Sequence, residues 1–287
     1  MNEQVLFDSV SAILRLFEQL PPREKNRLKE SHFRSVCTRL HDRLTRPDEL
    51  RDDELLPFAE EILNAYRVAS AFISLHGTLD FEKRPLRSDI ATQIPRLFDK
   101  RHDAFNTTEF VLSTGGLLFT HGGRPVELLE EPNDVKWPDF KVVDTCYGEC
   151  KDLQSATLDN LHQNTRDHLD KAAEQLASAQ ASEQLPFTLA CIDIPIRAGE
   201  AVSVFRQAVG GIRESLASPT GINFIILSRS GFEVAGDLVE FPHAWRLLWN
   251  ADSECDMEAA RAYFSQMFLD FYAVRQDELK HAWWTST

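Results

Sequence analysis

The chain has 287 residues, 43% of them hydrophobic, and 45 acidic against 31 basic side chains give a formal net charge of −14. That length and apolar content fill a sizeable core, in one large domain or two modest ones. The acidity argues against a protein that holds nucleic acid by bulk electrostatics, because phosphate contacts need Lys and Arg. No apolar run reaches the roughly eighteen residues of a membrane span, and the N-terminal MNEQVLFDSV carries acids where a signal peptide carries Lys or Arg. A cytoplasmic protein without membrane attachment is expected. Five cysteines, Cys37, Cys146, Cys150, Cys191 and Cys255, are scattered without C-x-x-C spacing, so they read as reduced, buried thiols.

The charge is uneven. Residues 1–104 carry 17 basic and 18 acidic side chains, whereas residues 105–287 carry 14 and 27. Two basic patches in the first part, Arg23, Lys25, Arg27 and Lys29, then Lys83, Arg84 and Arg87, are candidates to meet a phosphate backbone or to form solvated helix faces.

Val5, Leu6, Val10, Ile13, Leu14, Phe17 and Leu20 recur at helical spacing and predict a helix over 3–20, ended by Pro21-Pro22. Residues 23–44 resume an amphipathic pattern through Leu28, Phe33, Val36, Cys37 and Leu40. A third helix is expected over 55–75. These make a helical module, taken as residues 1–95, that suits a scaffold, a dimerisation element or a nucleic-acid platform. A second domain is taken as 96–287. There a helix is expected from Asn106-Thr107-Thr108, whose side chains can cap it, with Glu109 in its first turn, to His121-Gly122-Gly123. A strand over 124–131 follows.

The stretch WPDFKVVDTCYGECK, 137–151, reads as a β-hairpin. Asp139 to Val143 is a short run with β-branched residues, and Cys146 to Lys151 follows after a turn. Alternate side chains of a strand share a face, so Glu149 and Lys151 lie together and Cys150 opposes them. Asp139 joins them only if the connection is odd or bulged, which would pair it with Lys151; a two-residue turn at Asp144-Thr145 pairs it with Cys150 instead. Two acids side by side call for a cation between them. Mg²⁺ suits hard oxygen ligands and is usually held by one or two carboxylates with water and phosphate.

Beyond Lys151, Leu158, Leu161, Thr165, Leu169, Ala172 and Leu176 mark a helix packed on a sheet, and Asn164, His168, Lys171 and Gln175 form a polar stripe on its flank. His162 and His168, six apart, do not share a face as zinc ligands. Phe187 to Ile196 reads as a buried central strand, 201–216 as a helix, 222–228 as a strand and 232–241 as an edge strand. Residues 256–282 read as a closing amphipathic helix.

Pro138-Asp139 followed by Glu149-Cys150-Lys151 resembles the signature of the PD-(D/E)xK nuclease superfamily. The resemblance covers about residues 104–229 and implies an α/β fold: a mixed sheet flanked by helices, with a restriction-endonuclease-like core after the helical module. It also implies that Asp139, Glu149 and the carbonyl of Cys150 bind Mg²⁺, with Mn²⁺ able to substitute. By the same resemblance Lys151 orients or activates the attacking water, Glu109 is the candidate for the helix-borne acid, with Glu127, Glu130 and Glu131 competing for that role, and Lys171 or Gln175 lies near the phosphate. The implied activity is hydrolysis of nucleic acid, DNA ahead of RNA. A catalytically silent subunit of a larger complex is the alternative, and the acidity suits a basic protein partner or a homo-oligomer.

Overall fold

The computed structural model describes residues 3–45, 59–77, 84–99, 102–130, 136–153, 156–194, 201–216, 221–230, 233–235, 238–240, 243–250, 253–265, 267 and 272–274. The chain divides into two units: Met1–Thr120 with Gly231–Phe241, and His121–Ser230 with Pro242–Thr287.

The first unit is helical. Its elements are α1 (Glu3–Gln19), α2 (Pro22–Leu28), α3 (His32–Leu44), α4 (Ala59–His76), the single turns α5 (Ser88–Ala91) and α6 (Ile94–Leu97), and most of α7 (His102–Gly122). Pro22 opens α2 at a position where the missing N–H is not needed. The continuous helix expected over 23–44 is divided, because Ser31 turns its hydroxyl to the N–H of Arg34 at 3.2 Å and caps α3. Val10, Ile13 and Phe17 of α1, Phe33, Val36 and Leu40 of α3, and Ala65, Ala69 and Phe72 of α4 are buried as their spacing anticipates, while Tyr66 of α4 is exposed and Val68 is buried. Phe98 joins Phe17 and Phe33, with ring centroids 5.0 and 5.8 Å away.

Helix α7 begins at His102, one turn ahead of the expected start. Thr108 does not cap it; its hydroxyl donates to the carbonyl of Ala104 at 2.7 Å, an intrahelical bond. Glu109 therefore sits inside the helix rather than in its first turn. Gly116, a poor helix former, has a packing reason: a β-carbon there would lie 3.1 Å from Cα of Ala71 in α4.

The second unit is built on a seven-stranded mixed sheet of order β1-β2-β3-β4-β5-β8-β9. In chain order its elements are β1 (Val126–Leu128), β2 (Phe140–Val142), β3 (Cys146–Asp152), α8 (Leu161–Ser182), β4 (Phe187–Ile194), α9 (Ala201–Leu216) and β5 (Phe224–Ser230). After β6 (Glu233–Ala235) and β7 (Leu238–Glu240), which belong to the first unit, come β8 (His243–Asn250), α10 (Met257–Phe264) and β9 (Tyr272–Val274). β1, β2 and β3 pair antiparallel, β3, β4 and β5 parallel. Every residue of β4 is buried, as its unbroken apolar run requires of a strand between two parallel neighbours. Ala190, Ile192 and Ile194 pack with Leu169, Ala172 and Leu176 of α8 and with Ala208 and Ile212 of α9. On the other side, the Phe187 and Phe224 rings lie 5.2 and 5.1 Å from Phe264 of α10.

Three expectations change. The edge strand over 232–241 is instead a separate two-stranded hairpin, β6 with β7, belonging to the helical unit. β8 was not anticipated; it pairs antiparallel along the whole of β5. The helix expected over 256–282 ends at Phe264, and Tyr272–Val274 pairs parallel with β8. Helical periodicity could not register the competing attraction of an unpaired β8 edge, whose backbone donors and acceptors seek a partner. Residues 275–282 of that helix lie outside the described residues. Among the described residues no helix is long and apolar enough to cross a membrane.

Candidate active site

The β2–β3 hairpin closes through Val143, Asp144 and Thr145. The Thr145 N–H donates to the Val142 carbonyl at 3.0 Å, and Asp144 adopts φ +55°, a left-handed conformation that Asp tolerates better than most residues. The connection is odd, as convergence requires, because Phe140 pairs with Gly148 and Val142 with Cys146. Asp139, one step beyond Phe140, consequently stands across from Glu149, not from Lys151 as expected. Val143 lies outside this ladder, and its N–H donates to the Pro125 carbonyl, one residue before β1, at 3.0 Å. Opposed residues project to one face, and Lys151, two beyond Glu149, shares it.

The side chains are tied together. The Asp139 N–H donates to Glu149 Oε2 at 3.1 Å, and the Cys150 N–H donates to Asp139 Oδ2 at 2.8 Å. Lys151 Nζ donates to Glu149 Oε1 and, at 2.8 Å, to Gln175 Oε1. Gln175 Nε2 donates in turn to the Trp137 carbonyl at 2.9 Å. Gln175 of α8 is buried and commits both ends of its amide within the protein, whereas Lys171 is exposed. The amide thus braces Lys151 and the approach to Asp139, a role the polar stripe alone did not reveal. Trp137, which supplies a backbone carbonyl and not a side chain, had no signal of its own.

Burial, and then the charge of Asp139, push the Glu149 carboxyl up to about 8, while Lys151 pulls the other way. One ammonium faces two carboxylates, so the cluster is short of positive charge. A divalent cation fits that deficit and the hard oxygen donors. Asp139 and Glu149 would hold it, with the carbonyl of Cys150, which points to the same strand edge as the N–H that meets Asp139. Among the described residues no group of three or more His, Cys, Asp and Glu side chains converges. The Cys150 thiol lies on the opposite face, across from Cys191, where burial raises its pKa and keeps it protonated.

Glu109 has its own partners within the helical unit: Arg67 Nε lies 2.8 Å from Oε1, and Ser113 Oγ donates at 2.6 Å. Of the other acids, Glu127 is exposed and paired across strands with Lys141, Glu130 is exposed, and Glu131 lies outside the described residues. The basic patches are partly neutralised locally. Lys25 meets Glu18 at 3.2 Å, Arg27 meets Glu24 at 2.5 Å, and Arg87 pairs with Asp89; Lys83 is outside the described residues. His162 pairs with Glu214 of α9 at 2.9 Å, away from any second imidazole ligand.

Compared with protein families, curated proteins and solved structures, the chain finds no match. What the geometry defines is an α/β protein whose mixed sheet carries two acids and a lysine on one face of a hairpin.

Proposed function

We propose that the chain is a metal-dependent nuclease of the PD-(D/E)xK kind, with a restriction-endonuclease-like core, that hydrolyses a phosphodiester of nucleic acid. The observation that carries this reading is the placement of Asp139 opposite Glu149 with Lys151 bonded to Glu149. The succession β1-β2-β3-α8-β4-α9-β5 supports it, since it is the order the resemblance implies.

In this reading Asp139, Glu149 and the Cys150 carbonyl hold Mg²⁺, with Mn²⁺ as a substitute. Bound there, a divalent cation supplies Lewis-acid stabilisation to the phosphoryl oxygens. Lys151 does the remaining work. Its ammonium, steadied by Gln175 and Glu149, orients the attacking water and offsets charge developing on the phosphate. Fixing the ammonium before substrate arrives avoids reorganisation during the reaction, and loss of one such donor typically lowers turnover by about 10²–10³. Glu109, engaged with Arg67, is not needed for this set. DNA is named ahead of RNA on the resemblance alone.

A second reading, an interaction protein that keeps the fold without turnover, is favoured by the net charge of −14 and by the pairing of Lys25, Arg27 and Arg87 with neighbouring acids. Against it, an acid pair with Glu149 buried is costly in a protein that only binds. The deciding experiment incubates wild type and Lys151→Ala with plasmid, linear duplex, single-stranded DNA and RNA, in Mg²⁺, Mn²⁺ or EDTA. The nuclease reading expects cleavage of at least one substrate that EDTA and Lys151→Ala both abolish. Absence of cleavage throughout, or wild-type rates from Lys151→Ala, hands the assignment to the interaction protein.

A further inference from the structure

Helix α8 offers the site more than Gln175. His168 precedes Gln175 by seven residues, with Lys171 between them at spacings of three and four, so the three share one stripe of the helix. Gln175 fixes where that stripe faces, because its amide is bonded to Lys151 and to the Trp137 carbonyl. Helix α8 connects β3 to its parallel neighbour β4 and therefore runs back against β3. Its earlier residues lie toward the carboxyl end of β3, and His168 stands about 10 Å along the helix axis from Gln175 in that direction. His168 is half-buried and Lys171 is exposed.

We propose that His168 is a substrate-contacting residue whose imidazole N–H, beside Lys151 and Lys171, donates to a non-bridging oxygen of the nucleic-acid phosphate in this site. The inference rests on the nuclease reading and deepens it.

The electrostatics agree with the placement. Burial, then the charges of Lys151 and Lys171, lower the basicity of the imidazole, and Asp167 opposes them. These are the charged groups that act on it: Lys151 from β3, and Lys171 and Asp167 from its own helix. On α9, Glu214 is taken by His162 and Arg166. The free protein thus presents on this stripe an imidazole whose protonated form burial and two lysine charges disfavour, an arrangement that repels protons and attracts anions. An arriving phosphate reverses the field. The imidazole then takes a proton from solvent and binds the phosphate as a cation. An acidic chain gains in this way a short cationic stripe where an anion must be held.

The test compares wild type, His168→Asn and, as a control, His162→Gln. Two measurements are made: Mg²⁺-dependent cleavage from pH 5.5 to 8.5, and the NMR titration of both imidazoles with and without a short single-stranded DNA oligonucleotide in EDTA. The expected result is a KM about tenfold higher for His168→Asn with kcat little changed, as for loss of uniform binding. The oligonucleotide should also raise the pKa of His168 by about one unit and leave His162 unmoved. The ratio of the His168→Asn KM to the wild-type KM should fall as pH rises, because both share the ionisation of Glu149 and only wild type loses the imidazolium. Cleavage with an unchanged KM in His168→Asn and no imidazole shift overturns this inference and leaves the nuclease reading standing. No cleavage by wild type overturns the nuclease reading, and the His168 shift then decides separately whether the stripe binds phosphate.

Discussion

Asp139 and Glu149 are locked to each other through backbone as well as side chain: the Asp139 N–H donates to Glu149 Oε2, while Asp139 Oδ2 accepts the N–H of Cys150, the residue after Glu149. Each acid therefore helps to orient the other before any ligand arrives. The pair is held just before β2 begins, where its ladder to β3 opens, so its carboxylates are near neighbours.

This locking depends on the residue pair just inside it. Gly148 lies across from Phe140, and a β-carbon at Gly148 would fall 1.9 Å from Cζ of the Phe140 ring. Gly148→Val should lower stability by about 1–3 kcal/mol, because the ring must leave its place. Adding Phe140→Ala to Gly148→Val should then cost less than Phe140→Ala does alone. Urea unfolding of the three variants checks this, and strictly additive losses would show that ring and glycine do not depend on each other.

Glu109 should behave as a structural acid. With Arg67 Nε 2.8 Å away and both side chains at most 9% exposed, Glu109→Ala removes a carboxylate that faces a buried guanidinium. Loss of one partner of a buried pair typically costs about 3–5 kcal/mol. Chemical denaturation should report that loss, and Mn²⁺ affinity of the folded variant should match wild type. A variant that stays stable but loses the metal would return Glu109 to the site.

Glu149 predicts a pH dependence of stability. Its folded-state pKa is raised to about 8, chiefly by burial and then by the charge of Asp139. Between the ordinary carboxylate range and that value the folded protein holds a proton that the unfolded chain has released. Stability contributed by the neutral form is complete below the unfolded pKa and is lost as pH rises through this window. In EDTA the urea midpoint should accordingly fall from pH 5 to pH 8, and Glu149→Gln should flatten the fall. Saturating Mg²⁺ should stabilise most at the alkaline end, since it binds the ionised acid. A midpoint that rises with pH in wild type and falls in Glu149→Gln would reverse the sign.

Much of this was legible in the sequence, for physical reasons that also set its limit. Parity along β3 placed Glu149 and Lys151 on one face, since an extended strand allows nothing else. The identity of Asp139's partner was not legible, because it turns on which residues close the hairpin, here Val143, Asp144 and Thr145. The helix carrying Gln175 was plain from its spacing. That its amide bridges Lys151 and the Trp137 carbonyl is a tertiary fact with no local trace. Glu109 shows the converse: its surroundings in sequence suggested a first-turn acid, while its partner Arg67 lies in another helix. At the carboxyl end, Tyr272–Val274 carried a helical pattern but was recruited by the edge of β8.

In the proposed mechanism Asp139 and Glu149 hold a divalent cation while Lys151 acts on water and phosphate. The measurement that meets it most directly is calorimetric titration of Mn²⁺ into wild type, Asp139→Ala and Lys151→Ala at pH 8. Wild type should bind, Asp139→Ala should give no saturable heat, and Lys151→Ala should bind at least as tightly as wild type, because it removes an ammonium that competes for Glu149. Wild-type protein that binds no Mn²⁺, or Asp139→Ala that binds it as wild type does, would contradict the account.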